Sequence, residues 1–195
     1  MRIFVDMDGT LAEWRNIVLN LTVEEESNPQ IVSRKLHEIL TTKGYYLSLK
    51  PNKNMIDAVS ILTESPEQYE VFILSCYLED TDHSSPVTEK NEWLDFCLPM
   101  IDQVHRIFVP NGEDKTKYVP GGLRPSDILI DDYTKNLMDW QRAGGNGLKF
   151  LNGINATKGT WKGPKIYYYD SGNVIAGHIS KISSEKTLEQ EDMER

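Results

Sequence analysis

The chain has 195 residues, 39% of them hydrophobic and 26% charged, and a formal net charge of −9. That is the size and composition of one soluble globular domain with a sizeable core, and the acidic balance argues against polymeric nucleic acid, whose binding relies on basic patches. No apolar run approaches the ~20 residues of a membrane span, the sequence opens on a strand pattern rather than a leader, and two cysteines are too few for a disulfide framework, so a reduced cytoplasmic setting is expected. His37, His83, His105 and His178 show no ligand-like spacing, so zinc is not expected.

Ile3, Phe4 and Val5 run directly into Asp6-Met7-Asp8-Gly9-Thr10. An apolar run that ends on polar residues reads as a buried strand whose C-terminal end opens at the mouth of a sheet, where open α/β folds bind ligands. Alternate strand residues share a face, so Asp6 and Asp8 would point one way and Met7 the other. Two carboxylates held that close repel unless a cation lies between them, which makes the pair a candidate Mg²⁺ site. The competing reading is an Asp-rich surface turn. Residues 11–20 can continue as a helix whose first N–H groups face the site. Trp14 lies about one turn into it, where core packing is the plain explanation.

Residues 21–66 break the strand–helix rhythm. Val32, Leu36, Ile39 and Leu40 recur at helical spacing and stop before Gly44, which is placed at C′; Met55, Val59 and Leu62 give a second short helix. These helices either form a cap over the mouth of the sheet or cover one of its faces, with Tyr45, Tyr46 and Leu47 where a cap would rejoin the core. Residues 70–75 form a second strand ending on Ser75, and a serine there ordinarily satisfies its own backbone. Cys76 beside it would suit a cysteine phosphatase, but that chemistry needs an arginine six positions on, and residue 82 is aspartate.

Ser85 and Pro86 open the next helix as N-cap and first turn, with Lys90, Trp93, Leu94 and Cys97 as its inner stripe. Residues 106–109 form a third strand, followed by a polar loop carrying Lys115 and Lys117. Residues 127–131 are the fourth apolar run, ending in Asp131 and Asp132; Asp132 can cap the following helix, which carries Leu137 and Trp140 and stops at Gly144 and Gly145. Residues 148–151 suggest a fifth strand. Residues 166–169 and 174–176 flank Asp170-Ser171-Gly172-Asn173 and predict a β-hairpin. The polar tail 183–195 is expected to be frayed or loosely helical. No GxxxxGK[ST] string exists, so a P-loop nucleotidase is not expected.

Asp6-Met7-Asp8-Gly9-Thr10-Leu11-Ala12-Glu13-Trp14 resembles the first motif of the haloacid dehalogenase (HAD) superfamily of phosphatases. More narrowly it is similar to the 5′(3′)-deoxyribonucleotidase group, whose opening reads DMDGVLADF. Later segments match in the same order over most of residues 1–150, with Lys90, Trp93 and Pro99 among them, and the match fades past Asn152. The resemblance implies that Asp6 is the nucleophile and Asp8 the general acid/base, with Thr10 orienting Asp8. It implies phosphate binding by Ser75, Lys115, Gly9, Thr10 and Cys76, with Lys117 the competitor of Lys115. It implies Mg²⁺ held by Asp6, Asp8 through its backbone carbonyl, and Asp131, while Asp132 either assists or caps the helix. Trp14, Tyr45 and Tyr46 become candidate walls for a nucleobase.

Strand–helix alternation and this resemblance together predict an α/β, Rossmann-like three-layer sandwich with a central, mainly parallel sheet and a small helical cap after the first strand. Residues 1–14 and 67–182 would form the core, 15–66 the cap, and 183–195 the tail. Strand ends or following loops that carry Asp, Ser, Lys and Asp in turn are the strongest internal argument for one shared site. The expected activity is Mg²⁺-dependent hydrolysis of phosphomonoesters through an aspartyl-phosphate, most readily a 5′(3′)-nucleotidase acting on (deoxy)nucleoside monophosphates. A sugar or small-metabolite phosphatase, or a non-catalytic phosphate-binding member, is the alternative. The expected partner is a small phosphorylated substrate, with neither polymeric nucleic acid nor a membrane, and the protein would be a monomer or homodimer.

Overall fold

The computed structural model describes residues 1–14, 21–79, 85–153 and 160–193, with side chains up to residue 182. Six parallel strands form one sheet: β1 (Arg2–Val5), β2 (Glu70–Tyr77), β3 (Arg106–Pro110), β4 (Ile128–Asp131), β5 (Asn146–Leu151) and β6 (Lys165–Tyr167), in the order β3-β2-β1-β4-β5-β6. The helices are α1 (Val23–Glu26), α2 (Pro29–Leu40), α3 (Lys53–Thr63), α4 (Pro86–Cys97), α5 (Thr134–Arg142) and α6 (Gly172–Met193).

Strand alternation sorts the core onto two faces. Ile3, Val5, Ile73, Ile128 and Ile130 face a layer built from α3, α4 and α6, including Met55, Val59, Leu94, Ile175 and Ile179. Phe4, Phe72, Leu74 and Leu129 face Leu137 and Trp140 of α5, together with Trp161. Phe4 stacks on Phe72 with ring centroids 4.9 Å apart, in the register that pairs them across β1 and β2. Both faces are covered, which is why the strands read as continuous apolar runs. The fold is the α/β, Rossmann-like sandwich expected from the sequence.

Strand β1 lies between β2 and β4. The chain steps from β1 outward to β2 and β3, then returns to place β4 on the other side. The crevice at the C-terminal end of β1 is therefore the topological switch point, where ligands bind in such sheets.

Several local expectations need correction. Residues 11–14 do not begin a helix. The N–H groups of Thr10, Leu11 and Ala12 all turn back on the Met7 carbonyl, at 3.2, 2.9 and 2.9 Å, and Glu13 N bonds to Lys50 O and Asn52 N to Leu11 O, both at 2.7 Å. This stretch pairs along residues 50–52 instead, and residues 15–20 lie outside the described set. Helix α2 ends at Leu40 with Thr41 as C-cap, so Gly44 (φ 81°) belongs to the next turn rather than to C′.

The predicted hairpin is absent. β6 pairs parallel to β5, and α6 starts at Gly172. Ile175 and Ile179 are buried one helical turn apart, whereas Val174 is half exposed. Gly172 seats the helix tightly on α3, since a Cβ there would lie 2.6 Å from Asp57 Cβ. The polar tail continues α6 as far as Met193. Within the segment expected as a cap, α1 and α2 bury no residue, while α3 packs in the core layer against α6. No described helix is long and apolar enough to cross a membrane.

Candidate active site

Asp6 is the first residue past β1, and its N–H is held by the Ile130 carbonyl of β4 at 2.9 Å. Ser75 ends the buried run of β2, and Asp131 ends β4 with Asp132 beside it; all four are buried. Lys115 arrives from a single 3-10 turn, Lys115–Tyr118, after β3. Asp114 caps that turn, its Oδ1 accepting from Thr116 N at 2.9 Å and Thr116 Oγ1 at 2.8 Å. The cap aims Lys115 inward and Lys117 outward, where Lys117 is exposed and pairs with Glu113 at 3.3 Å. Of these two, Lys115 is the lysine that faces the buried carboxylates.

Its Nζ lies 2.7 Å from Asp6 Oδ1 and 2.8 Å from Asp131 Oδ2. Asp131 also accepts from Tyr133 N at 2.7 Å and from Asn136 Nδ2 at 2.9 Å, so both its oxygens are fixed. Asp6, Asp131 and Asp132 each bring one carboxylate oxygen within 4.8 Å of the others. Asp132 is not the N-cap of α5. Tyr133 takes that position, and Asp132 Oδ2 instead accepts from Asn152 Nδ2 at 2.6 Å.

Electrostatics follow from this crowding. Burial pushes the Asp6 carboxyl well above the usual range; Lys115 opposes the rise and the neighbouring carboxylates of Asp131, Asp8 and Asp132 add to it. Burial alone would depress Lys115, but Asp131 and Asp6 outweigh it, so its pKa is raised and it stays an ammonium. Burial also raises the Cys76 thiol, which disqualifies it as a ready thiolate nucleophile.

Asp8 occupies a different environment. Its Oδ2 accepts from the fully buried Lys90 Nζ at 2.5 Å, and Lys90 also donates to Ser75 Oγ at 2.9 Å and Cys76 O at 2.6 Å. Thr10, expected to orient Asp8, leaves its hydroxyl without a hydrogen-bond partner among the described residues, as does Asp8 Oδ1. Lys90 holds Asp8 instead. Sequence reasoning put Lys90 on the inner stripe of α4 and gave it no chemistry. The signal was there: a lysine on a buried helix face demands a compensating anion.

The aromatic candidates lie on the Asp8 side. Glu89, next to Lys90, accepts from Gly44 N at 2.7 Å and Tyr46 N at 3.2 Å, tying their loop to α4. Lys90 Nζ lies 4.7 Å from the Tyr46 ring centroid, and Tyr45 meets Tyr46 edge-on at 5.1 Å. Burial first, and then the Asp8 charge, raise both phenols. The Tyr45 hydroxyl and Trp14 Nε1 are both buried, and Trp14 tempers the rise at Tyr45. Gly9 is left-handed (φ 83°), and a Cβ there would lie 2.3 Å from Asp132 Oδ2, so only glycine lets the two loops meet.

The sequence profile of a family described as 5′ nucleotidase, deoxy (Pyrimidine), cytosolic type C protein matches residues 1–157, which include every side chain of the candidate site. The chain belongs to this family. It is accordingly a phosphatase of the 5′-nucleotidase class. No curated protein matches the chain in sequence. Among solved structures it is similar to a hydrolase from Pseudomonas syringae, with a TM-score of 0.53 and 12% identity over 93% of this chain and 99% of that one. It is also similar to a HAD-superfamily hydrolase from Ehrlichia chaffeensis, with a TM-score of 0.44 and 11% identity over 93% and 96% of the two chains. At such identity the first likeness bears on the fold alone. The nucleotidase family membership rests on the profile match.

Proposed function

We propose that the protein is a Mg²⁺-dependent phosphomonoesterase that works through an aspartyl-phosphate on Asp6 and takes (deoxy)nucleoside monophosphates as substrates. The observation that carries this reading is the pair of environments given to Asp6 and Asp8. Asp6 faces Lys115 and two further buried carboxylates, while Asp8 faces Lys90 and the aromatic loop.

The donor set suits a hard divalent cation. Three buried carboxylates converge, two of them bonded to Lys115, and oxygen-only coordination is what Mg²⁺ prefers. Asp6, Asp131 and Asp132 would hold it, with the Asp8 carbonyl as the expected fourth ligand. When bound, Mg²⁺ offsets charge between nucleophile and phosphate.

Asp6 attacks phosphorus in line, forming a P–O bond to its carboxylate as the ester P–O bond breaks. Asp8, steadied by Lys90, gives its proton to the departing alkoxide. Asp8 then takes a proton from a water that attacks the same phosphorus, and inorganic phosphate leaves as Asp6 is regenerated. Ser75 Oγ and the Lys115 ammonium orient and neutralise the phosphoryl oxygens. Gly9, Thr10 and the backbone at Cys76 complete the phosphate cradle. Trp14, Tyr45 and Tyr46 offer aromatic faces to the nucleoside that leaves from the Asp8 side, and a cap drawn from α1 and α2, which bury no residue of their own, would shut out water. The cytosolic type of the family supports a cytoplasmic setting.

Phosphate release from 5′ and 3′ nucleoside monophosphates, ribo and deoxy, should be compared with release from sugar phosphates, in Mg²⁺ and in EDTA. Nucleoside monophosphates should be preferred, with turnover lost in EDTA and restored by Mg²⁺. A preference for sugar phosphates, or equal turnover in EDTA, would overturn the reading.

A further inference from the structure

The end of β5 contributes two buried groups to Asp132 that the catalytic scheme does not use. Lys149 Nζ donates to the Asp132 carbonyl and, at 3.1 Å, to Thr134 Oγ1, fixing the main chain of that loop. Asn152, the first residue past β5 and buried, uses its amide nitrogen twice, donating to Gly9 O at 2.8 Å and to Asp132 Oδ2 at 2.6 Å. That amide is a direct tie between the loop after β1 and the loop after β4, the two segments that supply the three converging carboxylates. The fit is close. A Cβ on Gly9 would lie 3.0 Å from Asn152 Nδ2 as well as 2.3 Å from Asp132 Oδ2, so the three groups occupy one packed junction.

A carboxylate can turn about its Cβ–Cγ bond, and a partner outside the coordination sphere decides which way it faces. We infer that Asn152 is a positioning residue of the metal site: its amide holds Asp132 Oδ2 against Gly9 and so fixes the Asp132 carboxylate toward Asp6 and Asp131. The inference rests on reading those three aspartates as the Mg²⁺ site. Groups that orient ligands in this way typically change metal affinity by roughly ten- to a hundredfold when removed.

The test is calorimetric titration of the full chain with Mg²⁺ alone, without substrate, for the parent, Asn152→Ala and Asn152→Leu; the last keeps most of the side-chain volume without the donor. Melting temperatures in EDTA report the fold separately. The expected result is a Mg²⁺ dissociation constant at least about tenfold weaker in both variants, with melting in EDTA close to the parent. Parent-like affinity in either folded variant overturns the inference and leaves the metal site standing. A parent that binds no Mg²⁺ overturns the metal reading itself. Collapse of both variants in EDTA would make Asn152 a structural residue and would also overturn the inference.

Discussion

Two buried lysines divide the carboxylates of the site between them: Lys115 bridges Asp6 and Asp131, and Lys90 takes Asp8. The division matters because a nucleophile and a general acid must not be interchangeable. If Lys90 steadies Asp8 for proton transfer, Lys90→Met should lower kcat by about 10²-fold or more, the scale of acid–base assistance. KM should move much less, and steady-state kinetics with a circular dichroism control will show it. Cys76 makes the opposite prediction. Its thiol is held protonated by burial, so Cys76→Ala should keep phosphatase activity within a few-fold, and iodoacetamide at neutral pH should modify the protein slowly. At this scale Asp6, Asp8, Ser75 and Asp131 were legible because each falls at or just past the end of an apolar run, whereas Lys115, in the polar loop after β3, was singled out by the family resemblance. Lys90 and Asn152 were not legible. One hides on the inner face of a helix, and the other lies just past a strand whose partner is distant in sequence.

The elements were legible where hydrophobic pattern alone decides. Strands buried on both faces declare themselves as apolar runs, and β1 to β5 do so within a residue or two. The Asp170-Ser171-Gly172-Asn173 string failed as a guide because the same residue types that make a hairpin turn also start helices. What settled the matter was tertiary: Ile175 and Ile179 need the spacing of a helix to reach α3 and the sheet face together. Ile179→Ala should therefore cost about 2–5 kcal/mol in urea unfolding, as for other fully buried aliphatics. Val174→Ala, at a half-exposed position, should stay within about 0.5 kcal/mol. In a hairpin strand over residues 174–176, residue 179 would lie past the strand and its full burial alongside Ile175 would have no basis. The Leu11–Glu13 stretch is a similar case, since its pairing with residues 50–52 depends on a partner segment some forty residues away.

For the whole molecule, an acidic protein of net charge −9 must receive an anionic substrate, and at the site Lys115 and Lys90 offset only part of the charge of Asp6, Asp8, Asp131 and Asp132, which is the setting that suits a divalent cation. The switch point beside β1 gathers both buried lysines of the site and the three aspartates that suit a divalent cation, while the helices exclude water from the two faces of the sheet. The central claim is that Asp6 carries the phosphoryl group. Because burial and neighbouring carboxylates raise its pKa despite Lys115, an ionised Asp6 weakens the metal-free fold: its stabilising contribution is present below the unfolded aspartate pKa and fades as pH rises through the folded one. A neutral isostere at this position should then melt no lower than the parent in EDTA at neutral pH, which separates chemistry from folding. The decisive measurement is phosphate release from deoxynucleoside monophosphates by Asp6→Asn in the presence of Mg²⁺. The account predicts a folded protein with no detectable turnover; activity near that of the parent would contradict it.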